Sequence, residues 1–280
     1  IQKDDGFQNV MRRFLKGDEG MIPDVIWAIK HNSSEDNKYN YVTNQTGFTL
    51  QDLVSYDAKH NEENGENNQD GPDYNYSWNC GAEGPSRKKA IVELRKKQIR
   101  NAMMLLLLSQ GTPCLLAGDE FGNTQKGNNN VYCQDNETAW LNWNKKKMNE
   151  ALFEYVRTLI QFRKEHASLH KEMPLLGMDK TACGLPDISF HGELAWQTPA
   201  AVYSRQLGVL YCDNEAKQDT CYIAYNMHWL KHTFALPSLP KGKKWYRVMD
   251  TATEACDEKL EEMQKAVRLD ERSIVVLCGK

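Results

Sequence analysis

The stretch from Arg87 to Phe121, RKKAIVELRKKQIRNAMMLLLLSQGTPCLLAGDEF, restricts the fold more than any other part of the chain. Ile91, Leu94, Gln98, Ala102 and Leu105 recur at helical spacing with basic residues on another face, and Gly111 with Pro113 stops the pattern. The spacing predicts one long amphipathic helix. The following PCLLAGDEF is a continuous apolar run with charges only at its end, the pattern of a parallel strand covered on both faces. A helix feeding a buried parallel strand is a β/α repeat. Asp119 and Glu120 then stand at the strand's C-terminal end, the face that carries the active site in β/α barrels.

Upstream, GFQNVMRRFLKGDEG places Phe7, Val10, Met11 and Phe14 at helical spacing and ends at Gly17, and MIPDVIWAIK predicts a second short helix with Pro23 near its first turn. YNYVTN, β-branched and aromatic, predicts a strand over 40 to 44. Residues 55 to 87 are rich in Asn, Asp, Gly, Glu and Tyr and nearly free of aliphatics. Structureless loops beyond about 12–15 residues are uncommon and usually functional. A second polar loop, GNTQKGNNNVYCQDNETAWLNW, follows Glu120. Amides offer paired donors and acceptors, and aromatic faces stack on C–H faces, so the two loops suit a sugar. The other reading is a surface loop whose amides satisfy one another and the backbone.

NEALFEYVRTLIQFRKEHASL predicts another amphipathic helix. Past GLPDISFHGE the period turns from helical to alternating. AVYSRQLGVLYC, TCYIAYNMHW, HTFALPSLP, KWYRVMD and SIVVLCG read as short strands of a separate antiparallel β-sandwich. The fold class expected is α/β plus all-β, with residues 1–180 as the α/β part and 181–280 as the sandwich.

Apolar residues make up 40% of the 280 and charged residues 26%, the balance of a globular chain. A net charge of -3, from 35 basic and 38 acidic residues, leaves no footprint for nucleic acid or an anionic membrane. The longest apolar run, AMMLLLL, falls far short of the ~20 residues that span a bilayer. The chain opens on Ile1 with no signal-like segment, as expected if something upstream was removed or this is a piece of a longer chain. Eight cysteines (80, 114, 133, 183, 212, 221, 256 and 278) lack CxxC spacing. They are read as buried free thiols of a reducing cytoplasm, against a disulfide framework or a zinc site. The N-x-S/T sequons at Asn32, Asn44, Asn75 and Asn136 are read as coincidence. No GxGxxG, P-loop or HExxH occurs, and the acidic loop at 57 to 73 lacks EF-hand spacing, so no cofactor and no metal is predicted.

GFTLQDLVSYDAKHNEENGENNQDG, YSWNCGAEGP, LRKKQIRN and LLLLSQGTPCLLAGDEFGNTQKGNNNVYCQDNETAW resemble the C-terminal half of isoamylase-type glycogen debranching enzymes, glycoside hydrolases of the alpha-amylase superfamily. The resemblance runs almost continuously from 39 to 170, and LPDISFHGELAW with AYNMHWLKHTFALP resembles the same family's C-terminal sandwich. It implies the C-terminal part of a (β/α)8 TIM-type barrel, carrying strands seven and eight, and hydrolysis of α-1,6 branch linkages with retention. That chemistry uses a nucleophilic aspartate, a glutamate acid/base and a third, sugar-binding aspartate.

In the family a His-Asp pair precedes GFTL, and here those positions are Gln45 and Thr46. A neutral hydroxyl cannot replace an ionised carboxylate in potential or bidentate acceptance, so no catalytic residue is expected intact. By the same comparison residue 1 falls after strand five, which puts the nucleophile and acid/base outside these residues. Asp119 and Glu120, adjacent on a strand and so pointing to opposite faces, are read as structural support. The substrate-contacting set implied is Gln45, Thr46, His60, Asn61, Trp78, Asn128, Asn130, Tyr132 and Trp140. Packing is an equal alternative for each aromatic, and for Trp143. His191 is read as loop-ordering or glucan-contacting.

The partners implied are an α-glucan (glycogen, amylopectin or a branched maltooligosaccharide) and the missing part of the barrel or a second copy on the exposed edges. Three functions stand at this point: part of a debranching hydrolase, inactive alone; a non-catalytic α-glucan-binding relative; and a purely structural remnant.

Overall fold

Asp4 accepts a hydrogen bond from Phe7 N at 3.0 Å and so caps α1 (Asp5–Lys16), which ends at Gly17 in the left-handed conformation, φ 91°. Helix α2 (Ile22–Lys30) follows. The computed structural model describes residues 2–30, 38–180, 182–213, 219–253, 261–263 and 265–280. Around these helices lies a small parallel array: β1 (Gln2–Lys3) pairs with β2 (Lys38–Tyr39), and Asn40 bridges in parallel to Pro113. Asn40 N donates to Thr112 O at 2.8 Å and Cys114 N to Asn40 O at 2.7 Å. Helices α3 (Leu50–Leu53) and α4 (Lys89–Leu107) connect the second segment to the third.

The array is shorter than the sequence predicts. Residues 41–44 form no ladder, and Pro113–Ala117 is not covered on both faces: Cys114 is exposed and Leu115 and Leu116 are half-buried. Nothing among the described residues pairs with its outer edge, so the apolar run lacks the neighbour that would extend it. Asp119 and Glu120 lie on a 3₁₀ turn, Asp119–Phe121, rather than at a strand end.

Two of the basic residues of α4 are also inside. Arg95 and Arg100 are buried and donate to carbonyls, Arg95 to Gly84 O at 2.7 Å and Asn79 O at 2.9 Å, Arg100 to Thr251 O at 3.0 Å. Past α5 (Asn144–Met148), α6 (Glu150–Glu165) packs on α4 and brings in Arg163. Its guanidinium donates to Leu107 O and Ser109 O at 2.7 Å, Leu169 O at 3.0 Å and Gly111 O at 2.6 Å. These include carbonyls orphaned where α4 ends.

The C-terminal strands form a six-stranded antiparallel sheet ordered β3 (Ile188–His191), β4 (Gln206–Asp213), β5 (Asp219–Asn226), β10 (Ser273–Gly279), β7 (Trp245–Asp250) and β8 (Glu261–Met263). A ribbon of β6 (His232–Ala235) and β9 (Ala266–Leu269) completes it. Alternate residues divide between two cores. Leu210, Tyr222, Ala224, Val275 and Leu277 pack with Phe234, Val267 and Leu269 of the ribbon, whereas Val209, Ile223, Tyr225, Ile274 and Val276 join Phe14 and Leu159 of the helices. Burial on both faces makes β4, β5 and β10 nearly continuous buried runs rather than the alternating pattern expected from the sequence. The β part is therefore not separate: its main sheet shares a core with α1, α4 and α6.

Among the sequons, Asn44 and Asn75 are buried and Asn136 is exposed; Asn32, like Cys256, lies outside the described residues. Cys133 joins Cys114 as an exposed thiol, against the expectation of burial. No described helix is long and apolar enough to cross a membrane.

Candidate functional site

All three parallel segments point the same way, so the turns after Lys3, Asn40 and Pro113 gather at one end of the array. There the Tyr41 hydroxyl donates to Asp5, an arrangement that with burial raises its pKa. Beneath it Arg12 is buried, with Nε donating to Val42 O at 2.7 Å, Nη1 to Asn75 O at 3.0 Å, and Nη2 buried without a hydrogen-bond partner. Burial lowers the guanidinium to about 10, opposed by Tyr41 and Asp119. Asp119 accepts from Thr43 Oγ1 and from Leu50 N at 2.8 Å; burial still pushes its carboxyl up to about 7. Glu120 turns back to accept from Gly118 N at 2.8 Å. Asp119 is thus a brace between the second segment, α3 and the third segment.

Gln45 and Thr46 are exposed at this end. Thr46 N and Oγ1 both donate to Asn44 Oδ1 at 2.8 Å, a local turn that uses the hydroxyl within three residues. Gly47 N donates to Asn129 O at 2.9 Å, which ties the turn to the second polar loop.

The two polar loops are locked together by amides. Asn61 and Asn129 exchange hydrogen bonds, Asn61 Nδ2 to Asn129 Oδ1 at 2.8 Å and Asn129 N to Asn61 Oδ1 at 2.9 Å. Asn129 Nδ2 continues to Asn75 Oδ1 at 3.0 Å and Pro72 O at 2.8 Å. Asn128 Nδ2 donates to Asn64 Oδ1 at 2.7 Å, while Asn64 and Asn130 both donate to Asp70 Oδ2, at 2.7 and 2.9 Å. These bonds hold the Asp70 carboxyl below its ordinary range. Gly71, at φ 70°, passes so close that a Cβ would strike Asn129 Oδ1. Asp52, fully buried, accepts from Thr124 Oγ1 and from Gln125 N at 2.7 Å, anchoring the second loop to α3.

Asn61 and Asn128, expected to meet substrate, are buried with their amides committed inside the loops; Asn130 is half-buried. Trp78 packs on the core under the Arg272 guanidinium, 4.3 Å from its ring centre. His60 is partly exposed, edge-on to Tyr56 with 5.2 Å between ring centres, and lies 3.2 Å from Glu83. Tyr132 and Trp140 are exposed, as are Tyr74 and Trp143, and Trp140 Nε1 donates to Asp135 Oδ1 at 3.1 Å. His191 is fully buried in the sheet, accepting from Trp196 N at 2.7 Å, a bond that fixes the turn at 191–196, and burial lowers it to about 4. Arg12, Tyr41 and Asp5 escaped the sequence reading. Arg12 stands beside the half-exposed Arg13 in MRRF, and nothing in the string separates the two.

Comparison with known proteins agrees with this architecture. Residues 201–280 match the family model "Isoamylase, C-terminal". The chain is 36% identical over 237 residues to the glycogen operon protein GlgX homolog of Mycobacterium bovis, covering 76% of this chain and 32% of that protein. It is 35% identical over 263 residues to chloroplastic isoamylase 1 of Arabidopsis thaliana, covering 88% of this chain and 31% of the relative. It thus spans about a third of the length of these curated relatives. The fold is similar to that of pullulanase type I from Bacillus subtilis, solved with maltose: TM-score 0.69 and 17% identity over 99% of this chain and 35% of that one. The chain belongs to the isoamylase type of glycogen debranching enzymes and corresponds to their C-terminal part.

Proposed function

We propose that the chain is the C-terminal part of an isoamylase-like glycoside hydrolase acting on α-1,6 branch points of glycogen or a related α-glucan, and that these residues alone do not turn substrate over. Residues 1–180 are read as the last portion of a (β/α)8 barrel and 181–280 as its β-sandwich domain. One observation carries the reading: the polar loop after the third parallel segment is locked by amides to the polar loop after α3, is tied by Gly47 to the turn that follows the second segment, and presents exposed Tyr132 and Trp140. Aromatic faces beside polar groups are what a glucose ring needs. Gln45, Thr46, His60 and Asn130 supply the polar contacts, while Asn61, Asn128 and Trp78 hold the surface from behind.

Retaining hydrolysis needs one carboxylate to attack and a second to donate and then remove a proton. At this end Thr46 donates its hydroxyl to Asn44, and Asp119 is buried in its own hydrogen bonds. Neither is placed to serve, so we assign both reacting carboxylates to a segment outside these residues. That segment, or a second copy, would cover the half-exposed edge at 112–117. None of the seven cysteines among the described residues is in a disulfide, which suits a reducing cytoplasm. The test is reducing-sugar release from amylopectin by the folded chain: none above a buffer blank is expected, and measurable release overturns the assignment.

A further inference from the structure

Where α6 ends, His166 turns back onto the main sheet and meets two thiols. Cys221 on β5 and Cys278 on β10 are directly opposite in the antiparallel register, with sulfurs 4.0 Å apart. His166 Nε2 lies 3.9 Å from Cys278 Sγ, and one ligating atom from each of the three residues lies within 4.8 Å of the others. The other ring nitrogen, Nδ1, is 2.6 Å from Asp219 Oδ1. That carboxylate is fixed in turn by Ser168, whose N and Oγ donate to Oδ2 at 3.2 and 2.8 Å. Phe162 closes one side, its ring centre 4.0 Å from that of His166. Both thiols are buried; the imidazole and carboxylate keep a narrow edge at the surface, 19% and 10% exposed.

We propose that His166 Nε2, Cys221 Sγ and Cys278 Sγ form a binding site for a thiophilic metal ion, Zn(II) by preference, with Asp219 holding the imidazole from outside the ligand set. Zinc–sulfur bonds of about 2.3 Å and zinc–nitrogen bonds of about 2.0 Å in a tetrahedron set ligand atoms about 3.5–3.8 Å apart. The 4.0 Å sulfur–sulfur and 3.9 Å nitrogen–sulfur separations need close by only a few tenths of an ångström, and the remaining pair by up to about 1 Å. Asp219 accepts the Nδ1 proton and so leaves the Nε2 lone pair on the side of Cys278, the carboxylate–histidine–metal relay of many zinc sites; Cys221 Sγ, now 3.4 Å from Nδ1, has to turn toward Nε2 as the ion enters. Two thiolates cancel the charge of a dication, so the loaded site is neutral, as an apolar interior requires.

Both thiols bind as thiolates, so loading the site releases their protons and metal affinity rises with pH. A disulfide between the same residues would require an S–S distance of about 2.05 Å, roughly half the present one.

The test is anaerobic titration of the reduced, chelator-treated chain with Co(II), read by absorption, followed by displacement with Zn(II). One equivalent giving thiolate charge-transfer and tetrahedral ligand-field bands is expected. Cys221→Ser with Cys278→Ser should abolish them, and Cys183→Ser should leave them unchanged. Because serines in this core endanger folding, Asp219→Asn is the second variant: it should keep the spectrum and weaken affinity about 10–100-fold. Absence of the bands in folded wild-type chain, their survival in the double serine variant, or an Asp219→Asn affinity equal to wild type would each overturn the site. So would a metal-free Cys221–Cys278 cross-link in chain purified without reductant.

Discussion

The main sheet and the paired polar loops solve the same problem by opposite means. In β4, β5 and β10 nearly every side chain is buried, with successive residues assigned to two apolar cores. Between the loops, the buried groups are amides and carboxylates whose partners lie far off in sequence, Asn61 and Asn129 being 68 residues apart. Apolar packing loses stability in proportion to what is removed. A buried polar network is less forgiving, because deleting one member strands another without water.

The comparison breaks first where a charge serves the backbone. Arg163→Met would leave the carbonyls of Leu107, Ser109, Leu169 and Gly111 without their donor. A loss of about 4 kcal/mol is expected by chemical denaturation, enough to compromise folding of the helical part. On the apolar side, Ile223→Ala removes a fully buried side chain from the core shared by sheet and helices and should cost about 3 kcal/mol, with the fold kept.

His191 gives the sheet an acid-sensitive point. Beside Ser189, Trp196 and Tyr222, burial depresses it from 6.5 to about 4, so the unfolded chain takes up the proton first as pH falls. Its contribution is present above about pH 6.5 and fades toward pH 4, by up to about 3 kcal/mol. Denaturation midpoints against pH in wild type and His191→Gln should diverge in that window and run parallel above it.

In the loops, Asn61→Ala should cost about 2 kcal/mol and, more tellingly, raise amide exchange at 60–72 and 127–131 while the strands stay protected. If exchange rises equally in β5, the loops and sheet are one cooperative unit and the contrast fails. The smallest effect belongs to Thr46→Asp, an exposed change expected to move stability by less than about 0.5 kcal/mol. On the proposed function its readout is turnover by the chain joined to the segment that supplies the reacting carboxylates, where a carboxylate at 46 should raise activity; no gain would mean that position 46 does not limit it.

What the sequence disclosed follows the same division. The C-terminal end of α1 was legible because Gly17 acts within one turn of itself, and the longer strands because apolar and β-branched residues fill them between Pro, Gly and Lys turns. Glu261–Met263 and Ala266–Leu269 escaped because one is charged and the other alternates over only four residues. The composition of the loops pointed to amide chemistry but could not pair Asn61 with Asn129, since nothing local marks a partner so far along the chain. Nothing local marks Arg95, Arg100 or Arg163 for burial, which depends on carbonyls that converge only after folding.

The central claim is that the paired loops form a glucan-recognising surface at the end of the parallel array. The most direct measurement is calorimetric titration of the folded chain with a branched maltooligosaccharide, using a linear one of equal size as control. Saturable binding that favours the branched ligand and is lost in Trp140→Ala with Tyr132→Ala is the result predicted. No heat with either ligand from a demonstrably folded sample would contradict it, because recognition would then require more than these residues supply.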